Sequence, residues 1–220
     1  MKNWVTELYS LLVDSQPVVL VSVIGARGSS PRGSGARMIV TANGCQGSVG
    51  GGQLEYQCTD TARKMLDQDQ QARLERFVLG TPLDQCCGGA VEVLFEPILG
   101  VVPGWLETLH GIDLQDRNAV LVTTLGERPQ KTVIESSESL VVAGLPADVL
   151  PVAMEMFKSR GNAQRAGDVF VENIRAQDFN IAIFGAGHVG SALVAMLAGL
   201  DADIRWIDDR EDIFTSVPDG

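Results

Sequence analysis

Three arginines, Arg27, Arg32 and Arg37, stand in a stretch that contains no acid. From residue 15 to residue 54, forty consecutive positions lack Asp and Glu, where 28 acids in 220 residues would place about five. Between the arginines runs the donor-rich loop Gly28-Ser29-Ser30-Pro31. Guanidinium forks and exposed loop N–H groups suit phosphate or oxo-anion recognition, and an acid-free surround removes competing partners. The pattern predicts an anion site built from Arg27, Arg32 and Arg37 with Ser29 and Ser30. A flexible surface loop with an accidental charge pattern is the alternative.

The next segment, GSVGGGQLEYQC, reads as a strand passing into a helix. Gly50, Gly51 and Gly52 at a helix N-terminus can bring bare backbone amides toward a ligand, or can serve only a tight crossing of backbone. No Gly-Lys-Ser/Thr follows, which argues against ATP hydrolysis by a Walker loop. Farther on, Cys86-Cys87-Gly88-Gly89 lies in a loop between two strands, where thiolates can be exposed and glycines keep access open. Zinc is a weak candidate, because tetrahedral sites favour spaced Cys or His pairs and the chain has no C-x-x-C. Soft thiolates suit a heavy, sulfur-bearing metal centre. Ordinary burial competes with that reading.

A third signature stands near the C-terminal end. Gly185-x-Gly187-x-x-Gly190 follows an apolar strand and opens a helix, and Asp208 closes the next strand 23 residues after Gly185. This is the dinucleotide fingerprint in its proper context. The first glycine permits the tight turn, the second lets a pyrophosphate approach the helix, and the third allows close packing. Asp208 would then accept hydrogen bonds from a ribose. Many such folds keep the glycines for packing alone. His188, inside the turn, is placed to touch a ligand or simply to begin the helix; His110, beside Gly111 at a helix end, reads as structural.

The elements that must carry these residues follow from pattern. MKNWVTELYSLLVDSQ has amphipathic helical spacing. Val18 to Ile24 is β-rich; Gly25 to Gly35 reads as a loop, Ala36 to Thr41 as a second strand, and Asn43-Gly44 as a hairpin turn into Cys45 to Val49. Leu54 to Leu66 reads as a helix and Leu74 to Leu79 as a strand. After the cysteine loop, Ala90 to Pro97 alternates like a half-buried strand. A short helix near Trp105 precedes three β-like runs, Ala119 to Leu125, Lys131 to Glu135 and Leu140 to Ala143. Val149 to Phe157 looks helical and Val169 to Ile174 like a last strand. At Asn180 the character changes to buried strand, glycine turn, helix and strand, which places a boundary near residues 175 to 179. The fold class is α/β: an N-terminal mixed α+β domain over residues 1–175, then a Rossmann-like βαβ domain over 180–220.

Composition narrows the function classes. With 45% apolar residues the chain can bury a real core. A net charge of −11 argues against broad nucleic-acid or acidic-membrane surfaces. No apolar run approaches the roughly 18 residues of a membrane span, and the acid-bearing N-terminal segment is unlike a signal peptide. Cys45, Cys58, Cys86 and Cys87 are not spaced as a secreted disulfide framework, so a reducing cytoplasm is expected.

Taken together, GARGSSPRGSGARM, GSVGGGQLE, QCCGGAVEVLFEP and IAIFGAGHVG resemble the xanthine dehydrogenase accessory family of the XdhC and CoxI type, in order and spacing over residues from about 18 to 210. The resemblance implies an accessory domain followed by a Rossmann-like domain, usually in a homodimer. It implies a chaperone, not a catalyst. Such a protein binds the molybdenum cofactor, molybdopterin, protects it while a cysteine desulfurase system supplies its terminal sulfido ligand, and hands it to an apo molybdenum hydroxylase of the xanthine dehydrogenase type. Carried over as ligand-proximal are the Arg27 to Arg37 loop, Gly50 to Gly52 with Glu55, and Cys86 with Cys87, either thiol being a candidate molybdenum ligand. Family members continue beyond this point, so the second domain is expected to be incomplete. The main rival is an NAD(P)-dependent oxidoreductase using Gly185, Gly187, His188, Gly190 and Asp208; a purely structural hydroxylase subunit is a third reading.

Overall fold

A computed structural model describes residues 4–68, 71–80, 87–115, 117–136, 149–158, 163–174, 179–198, 202–210 and 213–214. The chain divides into two compact units, one spanning Trp4–Ile174 and the other beginning at Arg175. Its content is mixed α/β.

In the first unit, β1 (Val18–Arg27) lies at the centre of a five-stranded antiparallel sheet. Its neighbours are β2 (Arg37–Val40) and β5 (Ala90–Ile98), flanked in turn by β3 (Cys45–Gly47) and β4 (Arg73–Val78). Strand alternation gives this sheet two buried faces. Val19, Val21 and Val23 join Met38, Val93 and Phe95 on one of them. Against it packs α2 (Gly52–Gln68), whose buried Leu54, Cys58, Ala62 and Met65 recur at helical spacing.

The opposite face, with Val18, Leu20 and Ile39, packs on a second antiparallel sheet through Ala119, Leu121 and Ile174. That sheet has the order β7 (Lys131–Ile134), β6 (Ala119–Thr124), β9 (Val169–Ile174), β8 (Ala163–Ala166). Its outer face carries Val120, Val122 and Val171, covered by Val149, Ala153 and Met156 of α4 (Val149–Lys158). The order of layers is thus helix, sheet, sheet, helix. Two further helices, α1 (Trp4–Val13) and α3 (Gly104–Asp113), close one side of the inter-sheet core with Val5, Leu8, Leu12, Leu106 and Leu109.

Among the described residues, three ion pairs cross between the sheets: Arg37 with Glu172, Lys131 with Glu96 at 3.0 Å, and Arg165 with Glu92 at 3.0 Å. The first two are buried, so each charge relies on its partner in the opposite sheet.

Several sequence expectations change here. β1 runs on to Arg27 instead of yielding to a loop at Gly25, because its register against β5 shifts between Val23 and Gly25. The Asn43-Gly44 turn is a four-residue loop, 41–44, in which the Thr41 hydroxyl accepts from the Gly44 amide at 3.1 Å. The strand β8 has no counterpart in the expected elements, and the expected strand Leu140 to Ala143 lies outside the described residues.

In the second unit, β10 (Phe179–Phe184) and β11 (Ala202–Ile207) pair in parallel and flank α5 (His188–Leu197). Among the described residues, no helix is long and apolar enough to cross a membrane.

Candidate functional site

Three segments separated in sequence meet beyond the end of β1. The Gly89 amide donates to the Ser29 carbonyl at 3.0 Å, while the Gly89 carbonyl accepts from the Leu79 amide at 2.9 Å. A side chain on Gly89 would collide with the carbonyl oxygens of Arg27 and Ser29, so this crossing requires glycine. Gly50 in turn abuts the Pro31 ring. The arginine loop, the glycine triplet and the Cys87-Gly88-Gly89 segment therefore share one neighbourhood. Cys86 lies outside the described residues.

Within that neighbourhood the roles differ. Gly50, Gly51 and Gly52 all have positive φ (137°, 72° and 59°), a run that side chains would strain. Two of the three amides are engaged within the protein: the Gly50 N–H donates to the Ser48 hydroxyl and the Gly51 N–H to Glu55 Oε2, both at 3.1 Å. The Ser48 hydroxyl donates to the same carboxylate oxygen at 2.6 Å. Glu55 thus completes a cap on the first turn of α2. Arg37 also departs from expectation. Its guanidinium is buried, pairs with Glu172 and lies 4.0 Å from the Trp4 ring centroid, so it holds the two sheets together and is withdrawn from the anion site. Arg27, Ser29 and Arg32 remain exposed, and the Ser30 hydroxyl donates to the Arg32 carbonyl at 3.1 Å.

The cysteines separate by environment. Cys58 is buried on α2, and burial, with the Glu75 and Glu55 charges, pushes its thiol up to about 12. Cys45 is exposed. Cys87 is half-buried against the α2 core, next to an exposed Gly88 that has nothing within 4 Å of its would-be Cβ. Among the described residues, no group of three or more His, Cys, Asp or Glu could hold a metal ion.

Beside this cluster opens a cleft of about 280 Å³ lined by Gly25, Arg27, Arg76, Glu92 and Arg165, among others. In register across the sheet, Gly25 faces Glu92 and Glu92 faces Arg76. The bulge in β1 explains why Arg27 is there. Val18, Leu20 and Ile24 occupy the inter-sheet face, so simple alternation would send Gly25 and Arg27 to the other side; the extra residue restores them to it. Sequence reading missed Arg76, Glu92 and Arg165. Arg76 and Glu92 carried only an exposed-strand signal, and Arg165 sits on the strand that had not been expected.

The sequence of this region has relatives. Residues 11–78 match the model of the XdhC and CoxI family. That stretch runs from the end of α1 through β4 and contains Arg27, Ser29, Ser30, Arg32, the glycine triplet, Glu55 and Arg76. A solved structure from Bacillus halodurans, described as a xanthine dehydrogenase, is similar in fold, with a TM-score of 0.69 at 22% identity. The match covers 97% of this chain, which spans 64% of the length of that one. No curated protein matches.

Beyond the family-matching stretch, the glycine turn of the second unit is built from its own residues. Gly187 is the N-cap of α5, and His188, exposed, is the first residue of the helix. A side chain at Gly190 would collide with the Gly185 carbonyl oxygen, so the third glycine is needed for packing. Asp208 accepts four hydrogen bonds: from the amides of Ala186 (2.6 Å) and Arg210 (3.0 Å), and from Arg210 Nε (2.8 Å) and Nη2 (2.9 Å). The Arg210 side chain, then the two amides, hold its carboxyl well below the usual carboxylate range. A carboxylate has about four acceptor positions. All four are occupied in this structure, two of them by the exposed Arg210 side chain.

Proposed function

We propose that this chain is a molybdenum-cofactor-binding chaperone that protects the cofactor and delivers it to a molybdenum hydroxylase of the xanthine dehydrogenase type. The observation that carries the reading is the meeting of the backbone segments Arg27–Ser29 and Cys87–Gly89 at one end of β1, the first of them inside the stretch that matches the XdhC and CoxI family. An anionic pterin phosphate bearing a thiophilic metal calls for cations, backbone donors and a soft ligand. The residues present fit that demand. Arg27 and Arg32 are exposed cations, and Cys87 offers a half-buried thiol beside open backbone. In this reading the protein works in the cytoplasm as a homodimer, receives its cargo alongside a cysteine desulfurase, and catalyses no turnover of its own. The saturated Asp208 carboxylate disfavours the NAD(P)-dependent oxidoreductase alternative.

Molybdenum per chain, measured by elemental analysis after incubation with cofactor and gel filtration, tests the proposal. The wild type and Cys45→Ala should retain the metal, and Cys87→Ala should elute and melt normally while holding less. A wild-type chain that carries no molybdenum would overturn the function. Equal metal in wild type and Cys87→Ala would remove the thiol from the site.

A further inference from the structure

We propose that the cleft formed by Arg27, Arg76 and Arg165 is a binding site for a dianionic phosphate group. That the phosphate belongs to the pterin cofactor rests on the reading above; that the cleft takes phosphate does not.

Charge supplies the first argument. Three guanidiniums line the cleft against the single carboxylate of Glu92, a formal excess of two positive charges. The chain as a whole carries −11, with 28 acids available to 17 bases. In such a chain acids are numerous enough for ion pairs to offset a cation cluster. Here only Arg165 has such a partner; Arg27 and Arg76 form no ion pair among the described residues. Arg27 and Arg76 are thus exposed cations on one cleft, and a bound dianion would supply the counter-charge they lack.

The placement of Glu92 supplies the second. Arg165 Nη1 holds its Oε2 at 3.0 Å, and Arg165 Nε donates to the Gly167 carbonyl at 2.9 Å. These two bonds fix the guanidinium and leave its Nη2 without an acceptor among the described residues. A Cβ at position 25 would lie 2.8 Å from Glu92 Oε2, so the absence of a side chain there lets the carboxylate lie over the β1 backbone. The one negative charge is thus tied down while three forks keep donors available, the arrangement that suits a tetrahedral oxyanion with several acceptor atoms.

Construction is the third. Arg27 reaches this face only because β1 bulges between Val23 and Gly25, and bulges recur where a strand must re-aim a side chain at a site. The cleft draws on β1, β4, β5 and β8, and so exists only in the assembled pair of sheets. Its volume of about 280 Å³ accommodates a phosphate with part of the organic body that bears it.

The test uses the full chain and inorganic phosphate. Thermal unfolding at constant ionic strength should shift upward with phosphate and saturate, because a ligand that binds only the folded state stabilises by mass action. Arg27→Gln and Arg76→Gln should each weaken that binding by about tenfold, the loss expected for one charge-assisted partner. Arg117→Gln, which alters a surface arginine paired with Glu135, should leave it unchanged. No saturable shift in the wild type, or equal phosphate affinity in the Arg27→Gln/Arg76→Gln double variant, overturns the site. Molybdenum content of Arg76→Gln then names the source. Reduced metal assigns the site to the cofactor's phosphate, and undiminished metal with phosphate binding lost assigns it to a different phosphoester.

Discussion

The Arg37 guanidinium donates to the Glu172 carboxylate across the layer between the two sheets, although 135 positions separate them in the chain. Both side chains are almost fully buried, at 7% and 5% exposure. Charges so placed lose their hydration, and each depends on the other to offset that loss. Arg37→Ala should therefore destabilise the protein by about 3–5 kcal/mol, mainly through the unpaired Glu172 left behind. Replacing both residues with Met should cost less than the single change. Denaturant unfolding of the three variants checks this; an Arg37→Ala protein within about 1 kcal/mol of wild type would refute the buried-pair account.

The glycine turn allows a sharper comparison. A methyl group at Gly190 meets the Gly185 carbonyl oxygen, a backbone atom that can yield only by opening the turn, whereas one at Gly187 meets nothing within 4 Å. Gly190→Ala should cost about 1–3 kcal/mol or unfold the turn, and Gly187→Ala should cost far less. Amide hydrogen exchange over residues 184–190 would read the difference. Equal protection in the two variants would mean that the third glycine is not a packing requirement.

Asp208 sets an acid limit on the same turn. Its carboxyl is held below its ordinary value of 3.8 by the Arg210 side chain first, then by the Ala186 and Arg210 amides. A carboxylate with a lower value in the folded state contributes stability that is present above its unfolded value and lost as pH falls through its folded one. The turn should thus be insensitive to this group near neutrality and weaken only below about pH 3.8. A carboxyl-carbon titration followed by NMR should place the Asp208 midpoint under 3.8, and Asp208→Asn should remove that acid-side dependence. A midpoint at or above the ordinary value would show that the four hydrogen bonds do not persist in solution.

Much of the secondary structure was legible because its signals are local. The β-rich run Val18 to Ile24 announced a strand, the segment Leu54 to Leu66 announced a helix, and the Gly185 turn announced a βαβ unit. The candidate site was legible only in part. The loop around Ser29 and the glycine triplet were found, since glycine and serine runs mark unusual backbone directly. Arg76, Glu92 and Arg165 were not, since nothing within a strand distinguishes an arginine facing solvent from one lining a cleft.

The acid-free window from residue 15 to 54 shows where the division falls. The sequence by itself determined which backbone segments turn, which alternate and which present a helical apolar stripe, because burial periodicity is a property of neighbours along the chain. It could not determine the company its arginines keep. Arg37 lacks an acid nearby in sequence and finds Glu172 from the other sheet; Arg27, with no ion-pair partner among the described residues, shares a cleft with Arg76 because one bulged residue sets which face it joins. Those outcomes were decided by sheet register and layer packing, which bring distant residues within Coulombic range only once the tertiary structure has closed.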